Sequence, residues 1–183
     1  DEALRHEQVM RGARADLGDA VDVAPDGGNG RQPGDPQIPI RLGHGARGDP
    51  GDLLADALTD LEGGAGAVIT ATGMAAITVV GHLLPAGSRI VAAHDCYGGT
   101  FRLFSAWQRR GEMKVDFVDF GDAAAVDAAL SLPCALLWIE TPSNPLLRIS
   151  DIEALAARGR KAGALVAVDN TFLSPAWQQP LAL

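Results

Sequence analysis

The chain has 183 residues, of which 47% are apolar and 21% charged, and a formal net charge of -8. These proportions are typical of a globular protein with a sizeable core, and the negative charge argues against nucleic-acid or anionic-membrane partners, because both require clustered lysine and arginine. Cys96 and Cys134 lie far apart, with no nearby histidine at ligand spacing, so we predict no metal site and no disulfide framework and expect a cytoplasmic protein.

Residues 1–50 differ in composition from the rest of the chain. They contain no Lys, Phe, Tyr or Trp, and glycine, proline and aspartate crowd together in 26–36. We expect irregular or disordered structure here, because little apolar surface is available to offset the entropy of ordering. The first residues lack a signal-peptide pattern, and no apolar run reaches membrane-spanning length. Two hypotheses stay open for this region: a native divergent tail, or a frameshift upstream of about Asp52.

Regular elements begin at Asp52, which is predicted to cap a helix that ends at Gly63 and Gly64. Ser150 is predicted to cap a later helix, with Glu153 completing a capping box. Strands are predicted at 65–70, 89–93, 114–119, 135–139 and 164–168, and helices at 74–84, 99–110, 122–130 and 150–161. This alternation predicts an α/β domain over 51–183, with a mostly parallel sheet and helices on both faces.

The run Ala164-Leu165-Val166-Ala167-Val168 is continuously apolar and ends in Asp169. Such a run predicts a central strand buried on both faces. Asp169 would then lie at the carboxyl edge of the sheet, where open α/β sheets bind ligands. The alternative for this motif alone is that Asp169 caps an ordinary turn.

Three further loops are predicted at carboxyl ends of strands: 70–76, 94–100 and 140–145. The first has small residues that open a helix, which favours phosphate binding. Gly64-Ala65-Gly66 precedes a strand rather than following one, so a dinucleotide fingerprint is excluded. The second loop carries the only tyrosine, Tyr97, followed by two glycines, and the third projects Asn144 from a proline-rich turn. Each loop by itself is also compatible with plain turn chemistry.

Together these loops match one ligand, a phosphorylated and planar pyridine-like ring. Its phosphate would contact Gly73 and Met74, and its ring face would contact Tyr97. Asp169 would keep the ring nitrogen protonated, which strengthens pyridoxal 5′-phosphate as an electron sink. Asn144 would bind the ring hydroxyl oxygen.

Five blocks of the sequence, in chain order, resemble the Cys/Met-metabolism family of pyridoxal-phosphate enzymes, and within it the bacterial cystathionine γ-synthase branch. The blocks are 61–64, Thr72-Gly73-Met74-Ala75-Ala76, His94-Asp95-Cys96-Tyr97-Gly98-Gly99-Thr100, 140–148 and Val168-Asp169-Asn170-Thr171-Phe172. The resemblance implies an aspartate-aminotransferase-like fold and a homotetramer for full-length members. It also implies small amino-acid substrates, cofactor binding by Thr171, possible proton transfer by Tyr97 and substrate binding by Arg102. The alternative for Arg102 is a charge on the exposed surface of a helix.

Two departures from the family pattern matter. The family's Schiff-base lysine lies beyond the last residue here, and the only lysines are Lys114 and Lys161. We therefore expect a partial cofactor domain without turnover by itself. The segment 44–51 also lacks the tyrosine that the family carries near this position. Three alternatives remain open: a synthase that replaces the γ-acyloxy group of an acylhomoserine with cysteine; a γ-lyase, β-lyase or sulfhydrylase; or a non-catalytic product.

Overall fold

The computed structural model describes residues 50–183. Internal contacts divide the chain into two units, Asp1–Ile69 and Thr70–Leu183. Apart from Pro50, the residues addressed by the hypotheses about 1–50 lie outside the described range. None of the helices within 50–183 has both the length and the apolar character needed to span a bilayer.

In the first unit, helix α1 spans Pro50–Glu62. Proline suits the first helical position, because its missing N–H has no partner there. Asp52 therefore lies within the first turn, and its prediction as the capping residue was wrong. The predicted end is confirmed: Gly63 has φ +66° and the Gly64 N–H donates to the Thr59 carbonyl at 2.9 Å.

The second unit contains a four-stranded parallel sheet. The strands are β1 (Arg89–Ala93), β2 (Lys114–Val118), β3 (Leu136–Glu140) and β4 (Leu165–Asp169), in the order β2-β1-β3-β4. All three pairings are parallel. The helices are α2 (Gly73–His82), α3 (Gly98–Arg109), α4 (Ala123–Leu130), α5 (Ile152–Lys161) and α6 (Ser174–Trp177), and a 3₁₀ turn spans Pro180–Ala182.

Two apolar cores lie on opposite faces of this sheet. Alternating strand residues, such as Ile90 and Val91, point to opposite faces. Ile90, Ala92, Leu136 and Trp138 pack with Ile77 of α2 and with Phe104 and Trp107 of α3. Val91, Leu137 and Ile139 pack with Val126 of α4 and Leu155 of α5. The predicted α/β class with a parallel sheet and helices on both faces is confirmed.

Three details differ from the sequence predictions. Residues 65–70 form no strand, and Val68 and Ile69 are substantially exposed, so the described sheet has four strands rather than five. The run predicted as a central strand buried on both faces forms β4, which lies at an edge of the described sheet and is only half-buried, because it pairs on one side only, with β3. Asp151, not Ser150, caps α5: its side chain accepts from the Ala154 N–H at 2.9 Å.

Candidate functional site

A cavity of about 380 Å³ lies at the carboxyl ends of the strands. This is the edge at which ligands bind in open α/β sheets. The walls come from the start of α2 and from the loops that follow β1, β3 and β4. The lining residues are Thr72, Gly73, Met74, Ile77, Tyr97, Glu140, Pro142, Asn144, Asp169, Thr171 and Phe172. The structure thus brings together six of the residues predicted for the site: Gly73, Met74, Tyr97, Asn144, Asp169 and Thr171.

The start of α2 provides donors for an anion. Thr72 caps this helix: its side chain accepts from the Ala75 N–H at 3.1 Å, and its carbonyl accepts from the Ala76 N–H. Because the first four N–H groups of a helix have no partner within it, those of Gly73 and Met74 remain for a ligand. Gly73 and Met74 both line the cavity, and a β-carbon on Gly73 would meet no atom within 4 Å. The helix dipole adds a partial positive charge at this point.

The Tyr97 ring forms another wall of the cavity and lies against Gly99. A β-carbon on Gly99 would overlap this ring, with Cδ1 at 2.9 Å and the Met74 sulfur at 2.7 Å. Tyr97 itself is 44% exposed, so its ring is available to a ligand. The missing side chain at Gly99 therefore lets an aromatic ring lie beside the start of α2.

Asp169 is the last residue of β4 and lines the cavity. Its Oδ1 accepts from the Thr171 N–H at 3.0 Å and from the Thr171 hydroxyl at 2.5 Å. Both hydrogen bonds involve Oδ1, and Oδ2 takes part in neither. Thr171 thus orients the carboxylate and leaves one oxygen to accept a proton-bearing group, such as a pyridinium nitrogen.

Asn144 reaches the cavity from the loop after β3, and a neighbouring residue anchors that loop. The Ser143 hydroxyl donates to Asp95 Oδ2 at 2.5 Å and accepts from the Arg148 N–H at 3.1 Å. Asp95 belongs to the loop after β1. The Ser143–Asp95 hydrogen bond therefore joins the loop that carries Tyr97 to the loop that carries Asn144.

Glu140 is the ionisable lining residue that the sequence predictions left without a role. It is 4% exposed and accepts hydrogen bonds from the Tyr97 N–H, the Thr100 hydroxyl and the Trp138 indole. Burial raises the pKa of Glu140 above its usual range, the charge of Asp169 raises it further, and the three donors oppose this. The sequence signal was available, because Leu136-Leu137-Trp138-Ile139 is an apolar run that ends in a carboxylate, as at Asp169.

Arg102 and both lysines lie outside the cavity lining. Arg102 is exposed on α3, with its guanidinium near the Gly98 backbone. Lys114 begins β2 and Lys161 ends α5. Both lysines are therefore at the amino-terminal edge of the sheet, opposite the cavity. Among the described residues, no cluster of three or more His, Cys, Asp or Glu side chains is suited to hold a metal ion.

Comparison with known proteins agrees with this architecture. Residues 47–183 match the family described as Cys/Met metabolism PLP-dependent enzyme. The chain is 53% identical over 139 residues to cystathionine gamma-synthase of Escherichia coli K12, covering 75% of this chain and 36% of that protein. It is 42% identical over 133 residues to cystathionine gamma-lyase of Macaca fascicularis, covering 72% of this chain and 33% of that protein.

A solved structure is similar as well. Cystathionine gamma synthase from Xanthomonas oryzae pv. oryzae, in complex with cystathionine, superposes with a TM-score of 0.72 at 44% identity. The match covers 80% of this chain and 40% of that one. The chain thus spans between a third and two fifths of the length of these relatives.

Proposed function

Because the chain belongs to the family of Cys/Met metabolism PLP-dependent enzymes, we propose that its cavity binds pyridoxal 5′-phosphate as part of a transsulfuration active site. The observation that carries this proposal is the meeting of three groups in one cavity. These are the free N–H groups at the start of α2, the Tyr97 ring and the Asp169 carboxylate. A volume of about 380 Å³ lies within the range of roughly 300–1,000 Å³ that small-molecule sites occupy.

The residues present fit the chemistry of this cofactor. The N–H groups of Gly73 and Met74 would bind its phosphate, and the Tyr97 ring would cover one face of its pyridine ring. Asp169 Oδ2 would accept a hydrogen bond from the ring N–H and hold that proton in place, while Thr171 keeps the carboxylate oriented. Asn144 would bind the ring hydroxyl oxygen. When bound, the cofactor supplies an electron sink that stabilises negative charge on an amino-acid substrate.

For the full-length protein we propose the cystathionine γ-synthase reaction, in which cysteine sulfur replaces the γ-acyloxy group of an acylhomoserine. Support comes from the 53% identity to a synthase, compared with 42% to a γ-lyase. The γ-lyase reaction is the second candidate, since the same cofactor groups serve both. Arg102 is proposed to bind an anionic substrate group, and Tyr97 to take part in proton transfer. We also propose that residues 1–183 alone bind the cofactor without turnover, since both lysines lie at the edge opposite the cavity.

Membership of the same family also suggests the substrates, the cellular location and the assembly of the full-length protein. We propose small amino-acid substrates, a cytoplasmic location and a homotetramer for the full-length protein. The supporting observations are the net charge of -8, which disfavours anionic partners, and the metabolic enzymes among the relatives.

Binding of 4′-deoxypyridoxine 5′-phosphate tests the cofactor proposal. This analogue keeps the phosphate and ring but lacks the aldehyde, so it cannot react with Lys114 or Lys161. We expect saturable binding by calorimetry that weakens about tenfold or more in Asp169→Asn, since hydrogen bonds to charged groups contribute about 1.5–3 kcal/mol. Asp127→Asn, which removes an exposed carboxylate on α4, is the matched control and should bind normally. Equal affinity of the two variants, or no binding by the unmodified chain, would contradict the proposal.

A further inference from the structure

We propose that Glu140 is a positioning residue for Tyr97: its buried carboxylate holds the start of α3 and thereby sets the Tyr97 ring at the cavity wall. The inference deepens the proposed function and rests on it, because the ring matters only if the cavity receives a planar ligand. Glu140 is the last residue of β3, and it is not among the residues proposed to bind the cofactor.

The hydrogen bonds of Glu140 join parts of the chain that are distant in sequence. Oε2 accepts from the Tyr97 N–H at 2.5 Å, across 43 residues. Oε1 accepts from the Thr100 hydroxyl at 3.0 Å and from the Trp138 indole N–H at 3.1 Å. Thr100 is completely buried, and Trp138 is nearly so. The carboxylate is therefore held by β3 and by the first turn of α3 at the same time.

Tyr97 needs this external partner because of its place in α3. It is the N-cap residue, with φ -48° and ψ 135°, and its own side chain makes no capping hydrogen bond. In a capping box, a Glu or Gln in the helix accepts from the N-cap N–H. Here Glu140 performs that role from a neighbouring strand. A negative charge at this end of a 12-residue helix also interacts favourably with the helix dipole.

The geometry of Tyr97 is thereby fixed at two points. Its N–H is held by Glu140, and its ring lies over the bare backbone of Gly99 and beside Met74. A residue with a fixed backbone and a packed ring presents its aromatic face in one orientation. Loss of the carboxylate would free the backbone end while leaving the ring contacts in place.

Glu140 also lies next to the carboxylate expected to meet the ring nitrogen. Glu140 and Asp169 are register partners on β3 and β4. Together with burial, the charge of Asp169 acts on Glu140 and raises its pKa, and the charge of Glu140 in turn helps to raise the pKa of Cys96, in the loop after β1. Because the Tyr97 N–H donates to the Glu140 carboxylate, protonation of that carboxylate should weaken the hydrogen bond. The chemical shift of the Tyr97 amide should report this change.

The chain allows a specific test, because Tyr97 is its only tyrosine. Labelling with ¹⁵N-tyrosine gives a single backbone amide signal, which we follow by NMR as a function of pH in the unmodified chain. We expect this signal to titrate with a midpoint above that of an exposed glutamate. In Glu140→Gln the titration should vanish, and exchange of the Tyr97 amide hydrogen should be about tenfold faster or more. Glu153→Gln, at an exposed glutamate in the first turn of α5, should change neither quantity.

Thr100→Val provides a second variant in case Glu140→Gln does not fold. It removes one donor to Oε1 and leaves the Tyr97 hydrogen bond intact, so the midpoint should rise, because donors lower the pKa of a carboxyl. A Tyr97 amide that does not respond to pH in the unmodified chain, or whose exchange is unaltered in folded Glu140→Gln, would overturn the inference.

The same sample separates this inference from the cofactor proposal. In chain labelled with ¹³C on the tyrosine ring, 4′-deoxypyridoxine 5′-phosphate should shift the ring signals, and this should require at least about fivefold more analogue in Glu140→Gln. Normal amide titration with ring signals that never respond to the analogue supports the role of Glu140 in holding Tyr97 and overturns the cofactor proposal. Equal analogue affinity in both chains overturns the functional role of Glu140.

Discussion

The Tyr97 ring lies across the backbone of Gly99, two residues further along the chain. A β-carbon at Gly99 would be 2.9 Å from the ring Cδ1 and 2.7 Å from the Met74 sulfur. Such separations are shorter than real β-carbons make, so one of the groups would have to move. The position of the ring that faces the cavity therefore depends on a neighbouring residue without a side chain.

We predict that Gly99→Ala displaces the Tyr97 ring and weakens binding of the cofactor analogue about tenfold, as expected from an overpacking cost of about 1–3 kcal/mol. Gly98→Ala is a close control in the same helical turn. A β-carbon there would meet only the flexible end of Arg102, with Nη1 at 3.2 Å. Calorimetry and the tyrosine ring signals measure both effects. Similar binding by the two alanine variants would disprove this dependence.

The contact between α2 and α3 predicts a stability effect away from the cavity. A β-carbon on Gly81 would overlap the Trp107 indole, with Cζ3 at 2.8 Å. We expect Gly81→Ala to lower the free energy of unfolding by about 1–3 kcal/mol. The six-membered ring of the indole causes the overlap, so the cost should shrink when Trp107→Phe is also present. Urea unfolding of the four chains in this double-mutant cycle measures the coupling, and simple additivity would contradict it.

The raised pKa of the buried Cys96 thiol leads to a prediction about stability at alkaline pH. Burial and the nearby charge of Glu140 raise the pKa of the Cys96 thiol to about 12. An unfolded cysteine has a pKa of about 8.5, so between these values the unfolded chain loses a proton that the folded chain keeps. The stabilisation is complete below pH 8.5 and is lost as the pH rises towards 12.

We expect a loss of on the order of 2 kcal/mol in the free energy of unfolding between pH 8.5 and pH 10.5 from this group. Urea unfolding at the two values measures it, and Cys96→Ser should remove this part of the loss, because a serine hydroxyl does not titrate in this range. Rapid reaction of Cys96 with a thiol reagent in the folded protein at pH 8 would contradict the raised pKa.

The cap of α5 predicts a difference between two adjacent residues. The Asp151 side chain accepts from the Ala154 N–H, whereas Ser150 donates its backbone N–H to the Thr141 hydroxyl at 3.0 Å. Asp151→Ala should therefore cost about 1 kcal/mol of stability. Ser150→Ala keeps its backbone hydrogen bond and should cost almost nothing. Thermal unfolding compares them, and a larger effect at Ser150 would restore the cap predicted from the sequence.

Much of the site could be predicted from local sequence. Apolar runs that end in polar residues indicate strands whose carboxyl ends carry function, and this placed Asp169, Asn144 and Tyr97 at one edge before any contact was known. The small residues around Gly73 indicated a helix start suited to an anion. These signals are local, because secondary structure and turn chemistry depend on neighbours within a few residues.

The sequence by itself determined the fold class and six of the residues that meet in the cavity, because strand and helix periodicity and the polar residues that follow the apolar runs can be read from the chain alone. Only the tertiary structure decided that β4 is an edge strand, that residues 65–70 pair with no strand, and that Glu140 holds the Tyr97 N–H. Those outcomes depend on partners 29 to 43 residues away. The hydropathy pattern along the chain does not identify such distant partners. An apolar run that ends in a carboxylate is therefore found both in the buried strand β3 and in the edge strand β4.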